Sequence, residues 1–148
     1  MPVEIKILHP GDDSLLVNAA PGVFDNPVSP VGARDFLLDP RHHIAAAIDD
    51  GVLVGFASGV HYINPDKPPE LWINEVALAP THRGRGLGKL ILKALLEVGR
   101  AHKCTMAWVL THRTNPAAIA LYSSVGGVEG VDNSGPIDSL TGFSFPLT

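Results

Sequence analysis

The passage from Leu71 to Val98 constrains this chain more than any other. A strand-like run, LWINEVALA, stops at Pro80, a short turn containing HRGRGLG follows, and from Leu87 the apolar residues fall into helical spacing. Leu87, Leu90, Ile91, Ala94, Leu95 and Val98 line one face of a helix, while Lys89, Lys93, Glu97 and Arg100 take the opposite one. A strand, a glycine-rich turn and an amphipathic helix in direct succession form a unit of a mixed α/β fold.

The flanking sequence supplies the rest of the sheet. VEIKIL (Val3 to Leu8) alternates as an outer strand does, and PGDD breaks it. Two helices are expected between Ser14 and Asp39, SLLVNAAPGVF and SPVGARDFLLD, interrupted by Pro21, Gly22, Asn26 and Pro27. HHIAAAID and VLVGFASGVHYI are joined by Asp50-Gly51, a hairpin signal. The proline-rich NPDKPPE (Asn64 to Glu70) reads as a loop. CTMAWVLT is apolar on both alternating faces, which predicts a strand covered on both sides. NPAAIALYSSVGG predicts a short helix with Asn115 as N-cap, Pro116 in the first turn and Gly126 as its stop. GFSFPL offers a last strand. The order is β, helices, β hairpin, β, α, β, α, β, an α/β (α+β) sandwich on one sheet, expected as a single domain over residues 1–148.

Composition removes several classes of function. With 11 Lys plus Arg against 15 Asp plus Glu, the formal charge of −4 provides no global basic field for nucleic acid or an anionic membrane. Any anion site must be local. Cys104 is the single cysteine, so an intramolecular disulfide and a cysteine-based zinc site are both excluded, and a reducing compartment is the simplest home. No apolar run reaches membrane-spanning length and the start lacks the pattern of a signal peptide, so the chain is expected to be soluble and cytoplasmic. Of seven histidines, His42 and His43 are neighbours on a predicted strand and point to opposite faces, and no His-x-x-x-His occurs. No metal is assigned.

Between the strand and the helix, the turn exposes backbone N–H groups at the positive end of the helix dipole, an anion site suited to phosphate. The two common phosphate fingerprints do not fit. A Walker A loop would need a glycine where Arg83 stands and a hydroxyl where Leu90 stands, and the dinucleotide fingerprint needs G-x-G-x-x-G where this chain has G-x-G-x-G. What is present is R-x-x-G-x-G, as Arg83, Gly86 and Gly88, with INEVALAP before it and N-P-A-A-I-A-L-Y after the next strand.

This set resembles the acetyl-coenzyme A site of the GCN5-related N-acetyltransferase (GNAT) superfamily, most closely over Leu71 to Gly127. The resemblance implies a central, mixed, mostly antiparallel sheet flanked by helices, with acetyl-CoA as co-substrate. It places the pyrophosphate on backbone amides from Arg85 through Gly86 and Leu87 to Gly88, flanked by Gly84 and Lys89 and with charge from Arg83 or Arg85. It pairs the backbone of Val76, Ala77 and Leu78 with the pantetheine arm, to which Asn115 adds a hydrogen bond. Tyr122 becomes the proton donor to the departing thiolate, or else a core aromatic. Glu75, read as sharing a strand face with Leu71, Ile73, Ala77 and Ala79, is a carboxylate in an apolar row, a costly placement unless the row opens onto a cleft. There it would take the proton that an alkylammonium, with a pKa of roughly 10, must lose before it attacks.

FDNPVSP, HYINPDKPPELWINEVALAP and AWVLTHRTNPAAIALY further resemble the small aminoglycoside 3-N-acetyltransferases and their environmental relatives. That implies a small cationic amine acceptor, with Asp25, Asp66, Glu70 and Glu75 as acidic contacts. Superfamily members often dimerise, so a homodimer is expected. Another amine acceptor, such as a polyamine, an amino acid or a protein N-terminus, stays open, as does a coenzyme-binding sensor without turnover.

Overall fold

The computed structural model describes residues 2–129 and 140–148. Its strands are β1 (Glu4–Ile7), β2 (His42–Asp49), β3 (Val52–Tyr62), β4 (Glu70–Leu78), β5 (Met106–His112), β6 (Val128–Glu129) and β7 (Leu140–Pro146), and its helices are α1 (Asp13–Val17), α2 (Pro30–Leu38), α3 (Leu87–Ala101) and α4 (Pro116–Ser124). The strands form one sheet in the order β1-β2-β3-β4-β5-β7-β6. Among the described residues, only β4 and β5 run parallel. They must do so because α3 connects them as a crossover, returning the chain to the end of the sheet at which β4 began.

The IAAAI run of β2 is buried on both sides. Ile44 and Phe56 face α1 and α2, while the alternate residues face α3. Phe56, Leu53, Leu71, Ile73, Ile91, Leu92 and Leu95 are fully buried and tie the two layers to the sheet. Each such side chain contributes about 1.5–3 kcal/mol of transfer free energy. The β2–β3 hairpin turns at Asp50 and Gly51, both at positive φ (49° and 77°), as a two-residue turn of this sequence requires.

The first helix is shorter than SLLVNAAPGVF suggests. The Asn18 side-chain amide folds back onto the Ser14 carbonyl at 2.9 Å, and the Ala20 N–H donates to Leu53 of β3 at 2.9 Å, so the chain leaves the helix to dock on the sheet. On β5 the expectation of two covered faces fails. Ala107 and Val109 are buried, but α1 and α2 pack over β2 and β3 and leave Leu110 46% exposed. After Gly126 (φ 90°) ends α4, the chain adds a strand that the sequence reading lacks, β6, whose Val128 and Glu129 pair with Ser144 and Phe143 of β7.

Two irregularities in β4 shape the middle of the sheet. Its parallel pairing with β5 covers only Glu70–Met106, Leu71–Ala107 and Trp72–Trp108, after which the two strands separate. One residue later the register with β3 slips: Ile73 pairs with Gly59 and Glu75 with Ser58, so Asn74 is an extra residue, a β-bulge. Gly59 suits this position because the backbones approach so closely that a Cβ there would lie 2.7 Å from the Trp72 carbonyl oxygen.

Candidate active site

The separation of β4 from β5 opens a cleft of about 810 Å³. Its walls are β4 from Glu75 to Leu78, the turn before α3, and the exposed side of α4. Past Trp72 the edge of β4 that faced β5 is no longer paired with it, so backbone groups of Val76 to Leu78 on that side can pair with an extended ligand. Asn115 lies across the cleft, where its Oδ1 caps α4 by accepting from the Ala118 N–H at 3.1 Å. Both roles expected of Asn115 are compatible, since the cap occupies the oxygen and leaves the amide nitrogen for the cleft.

At the mouth of the cleft, α3 starts without a side-chain cap, whereas Ser29 and Asn115 cap α2 and α4. Its N-cap is Gly86 at φ 76°, preceded by Gly84 at φ 75°. A Cβ at either glycine would meet nothing within 4 Å, so these glycines serve a left-handed backbone on an open surface and do not relieve crowding. The first-turn amides of α3 therefore remain available to an anion. Arg83 and Lys89 border the cleft beside them. Arg85 is exposed and near Asp49, and the Leu87 side chain is buried in the core, leaving only its backbone for the anion. The turn is anchored: His82 Nε2 and the Asp49 carboxylate share a 2.7 Å hydrogen bond, which holds the Asp49 carboxyl below the usual range, and Thr81 Oγ1 lies 2.7 Å from His82 Nδ1.

Glu75 does not sit in the apolar row assigned to it. The bulge at Asn74 exchanges the faces, so Leu71 and Ile73 point toward α3 while Glu75, paired with Ser58, points to the side of α1 and α2. There it lines the cleft and also a second pocket of about 240 Å³ bounded by Phe24, Val28, Phe36, Ile44, Phe56 and Asn74. Phe24 and Phe56 stack at 4.5 Å between ring centres. Burial raises the Glu75 carboxyl above its ordinary pKa, and the negative charge of Asp25 raises it further. Tyr122, from α4, is buried yet borders the cleft, and burial raises its phenol, which keeps it protonated at neutral pH.

Of the acidic contacts expected for an acceptor, Asp25 and Glu75 reach the cleft, and Asp66 and Glu70 do not. Asp66 is exposed in the loop before β4. Glu70 is at the far end of β4, five residues or roughly 16 Å from Glu75. It accepts 2.6 Å hydrogen bonds from the Tyr62 hydroxyl and the Trp108 indole and pairs with Lys67 at 3.5 Å. The residues missed by the sequence reading are the apolar ones of the second pocket. They come from α1, α2 and their connection, with Ile44 of β2 and Phe56 of β3 as the floor, and only the aromatic content of FDN and DFLL hinted at them.

Comparison with known proteins bears on this geometry directly. The model of the acetyltransferase (GNAT) family matches residues 15–126, which include both pockets' walls on β4, the uncapped turn and α4. The chain belongs to that family. Within it, the chain is 33% identical over 104 residues to the N-alpha-acetyltransferase RimI of Mycobacterium tuberculosis, an alignment covering 70% of this chain and 63% of RimI. It is 35% identical over 97 residues to the L-2,4-diaminobutyric acid acetyltransferase of Nocardia farcinica, covering 66% of this chain and 47% of that protein. The chain thus spans between about half and two thirds of these relatives' lengths. Among solved structures, an aminoglycoside acetyltransferase from an uncultured soil metagenomic sample superposes with a TM-score of 0.73 at 25% identity, covering 94% of this chain and 100% of the other. Acetyl-CoA is the co-substrate of the GNAT family, and the cleft fits it: free amides and cations at the mouth for phosphates, an open strand edge along the wall for the arm. Among the described residues, no helix is long and apolar enough to cross a membrane.

Proposed function

We propose that the chain is a single N-acetyltransferase domain that moves an acetyl group from acetyl-CoA to a primary amine, with Glu75 as general base and Tyr122 as general acid. The observation that carries this reading is the position of Glu75, which borders both the coenzyme cleft and the smaller pocket, at the junction where donor and acceptor must meet. Acetyl-CoA supplies a thioester carbon open to attack. Glu75 removes a proton from the acceptor ammonium, a task its raised pKa suits because a base works best when its pKa lies near the operating pH. Tyr122, held neutral by burial, donates its proton to the sulfur as the thiolate leaves.

The acceptor reading that follows from the narrower resemblance is an aminoglycoside, acetylated at its 3-amino group. The solved aminoglycoside acetyltransferase of similar fold supports it, as does the carboxylate of Asp25 beside the cleft. A second reading rests on the apolar lining of the pocket beside Glu75: Phe24, Phe36, Ile44 and Phe56 favour an amine carried next to a small apolar group, as at a peptide N-terminus. The similarity to RimI supports that alternative, and the similarity to the diaminobutyrate enzyme supports a small diamine.

Thiol release from acetyl-CoA should be measured with gentamicin, spermidine, 2,4-diaminobutyrate and an alanyl peptide at equal concentration. Preference for gentamicin sustains the aminoglycoside reading, and preference for the peptide or the diamino acid replaces it. Coenzyme binding without thiol release from any acceptor would leave a sensor domain.

A further inference from the structure

At the other end of the sheet three histidines meet that are far apart in the chain. His43 comes from the first residues of β2, His61 from the last residues of β3, and His102 caps the C-terminus of α3. Their ring centres lie 4.6–5.0 Å apart, His43 Nε2 and His61 Nδ1 are 2.7 Å apart, and one nitrogen from each ring falls within 4.8 Å of the others. His43 and His61 are half-buried and His102 is exposed, so the cluster opens to solvent on one side. This group lies apart from both pockets already described, and the acetyl-transfer chemistry does not use it.

We propose that His43, His61 and His102 form a binding site for a borderline divalent transition-metal ion, best fitted by Zn²⁺, with solvent in the remaining coordination position. Three imidazoles without a carboxylate select such an ion over Mg²⁺ or Ca²⁺, which prefer oxygen ligands. With metal–nitrogen bonds of about 2.0–2.1 Å in a tetrahedral site, ligand nitrogens stand about 3.3 Å apart. The His43–His61 contact must therefore open by about 0.6 Å, and the exposed His102 ring must turn inward to complete the set. Both are side-chain adjustments that leave the strands in place.

A metal here would join β2 and β3 to the last turn of α3, the helix whose first turn faces the coenzyme cleft. The site is therefore structural, and its loss should leave acetyl transfer at saturating substrates unchanged.

The test uses the full chain without any purification tag, stripped with chelator and titrated with Zn²⁺ by calorimetry and with Co²⁺ by visible absorption. The expected result is one Zn²⁺ per chain, a Co²⁺ spectrum of the intensity typical of four or five ligands, and a rise in Tm on adding Zn²⁺. His102→Ala changes an exposed residue and should fold normally while weakening Zn²⁺ at least about tenfold and abolishing the cobalt band. His61→Gln should do the same. Absence of stoichiometric binding, a weak cobalt spectrum typical of six oxygen ligands, or unchanged affinity in folded His102→Ala would each overturn the proposal.

Discussion

Glu70 and Glu75 stand on one strand, five residues apart, and lead opposite lives. Glu70 is where β3, β4 and β5 are all paired, and its carboxylate receives the Tyr62 hydroxyl, the Trp108 indole and the Lys67 ammonium. Those partners favour the ionised form and hold its pKa below the ordinary value, with the Tyr62 bond the largest influence. Burial, with the same contact adding to it, pushes the Tyr62 phenol up to about 12. Glu75 lies beyond the point where β4 and β5 separate, with no cation paired to it among the described residues, and burial moves its pKa up. One strand thus carries a carboxylate committed to holding the sheet together and another, bordering the cleft, whose charge no cation among the described residues neutralises. The difference arises from whether the neighbouring strand is present, because residue type and strand are shared.

The comparison breaks most visibly at Glu75. Glu75→Gln keeps the shape and deletes the base, so the acetylation rate near neutral pH should fall by roughly 10²–10⁴ while coenzyme binding and Tm stay close to wild type. Raising the pH should partly rescue the variant as more acceptor arrives neutral, and an unaltered pH–rate profile would remove Glu75 from the chemistry. At the cleft mouth, Gly86→Val forces a β-branched residue into φ 76° and crowds the anion amides, so acetyl-CoA affinity measured by calorimetry should weaken by roughly tenfold or more. Unchanged affinity in a folded variant would dismiss the turn as the phosphate site.

Tyr122→Phe sharpens the contrast in a different way. Turnover should drop by roughly tenfold, at the modest end of acid catalysis because water can reprotonate the thiolate, with little change in coenzyme affinity. Wild-type turnover would make Tyr122 a packing residue against Phe143 and Phe145. Glu70→Ala should spare saturated turnover and lower stability by about 1–3 kcal/mol, since it leaves the Tyr62 and Trp108 donors unsatisfied. The sign with pH follows from the lowered pKa: the Glu70 contribution is complete above the ordinary carboxylate range and is lost as pH falls through the lower folded value. The variant's stability disadvantage, followed by urea denaturation, should therefore shrink in acid.

Much of this was legible in the residues because the signals were local. Asp50-Gly51 requires a tight hairpin whatever surrounds it, and the apolar stripe of α3 reports its own buried face. The R-x-x-G-x-G turn was readable for the same reason, since Gly84 and Gly86 answer to their own dihedrals. What escaped depends on partners. No feature of LWINEVALA announces that Asn74 will be extra, because the bulge is defined by the β3 residues opposite, Gly59 and Ser58. Glu70 was expected as an acceptor contact for its negative charge, yet an extended strand carries it roughly 16 Å from Glu75 and gives it to Tyr62 and Trp108. The three histidines at positions 43, 61 and 102 become neighbours only when β2, β3 and the end of α3 are assembled.

The bulge at Asn74 makes the chemistry of this strand a matter of counting. Side chains on a strand alternate with a period of two, so every residue downstream of the inserted one has its assignment, sheet interior or cleft, decided by whether an odd or even number precedes it. A regular register that paired Asn74 with Ser58 would keep every functional residue type and still turn Glu75 toward α3, offering its place at the junction to Asn74. Substitutions in this stretch are small perturbations by comparison with a slip of register. A family of variants built on this scaffold can therefore vary the acceptor pocket, provided that the pairing of Glu75 with Ser58 is conserved.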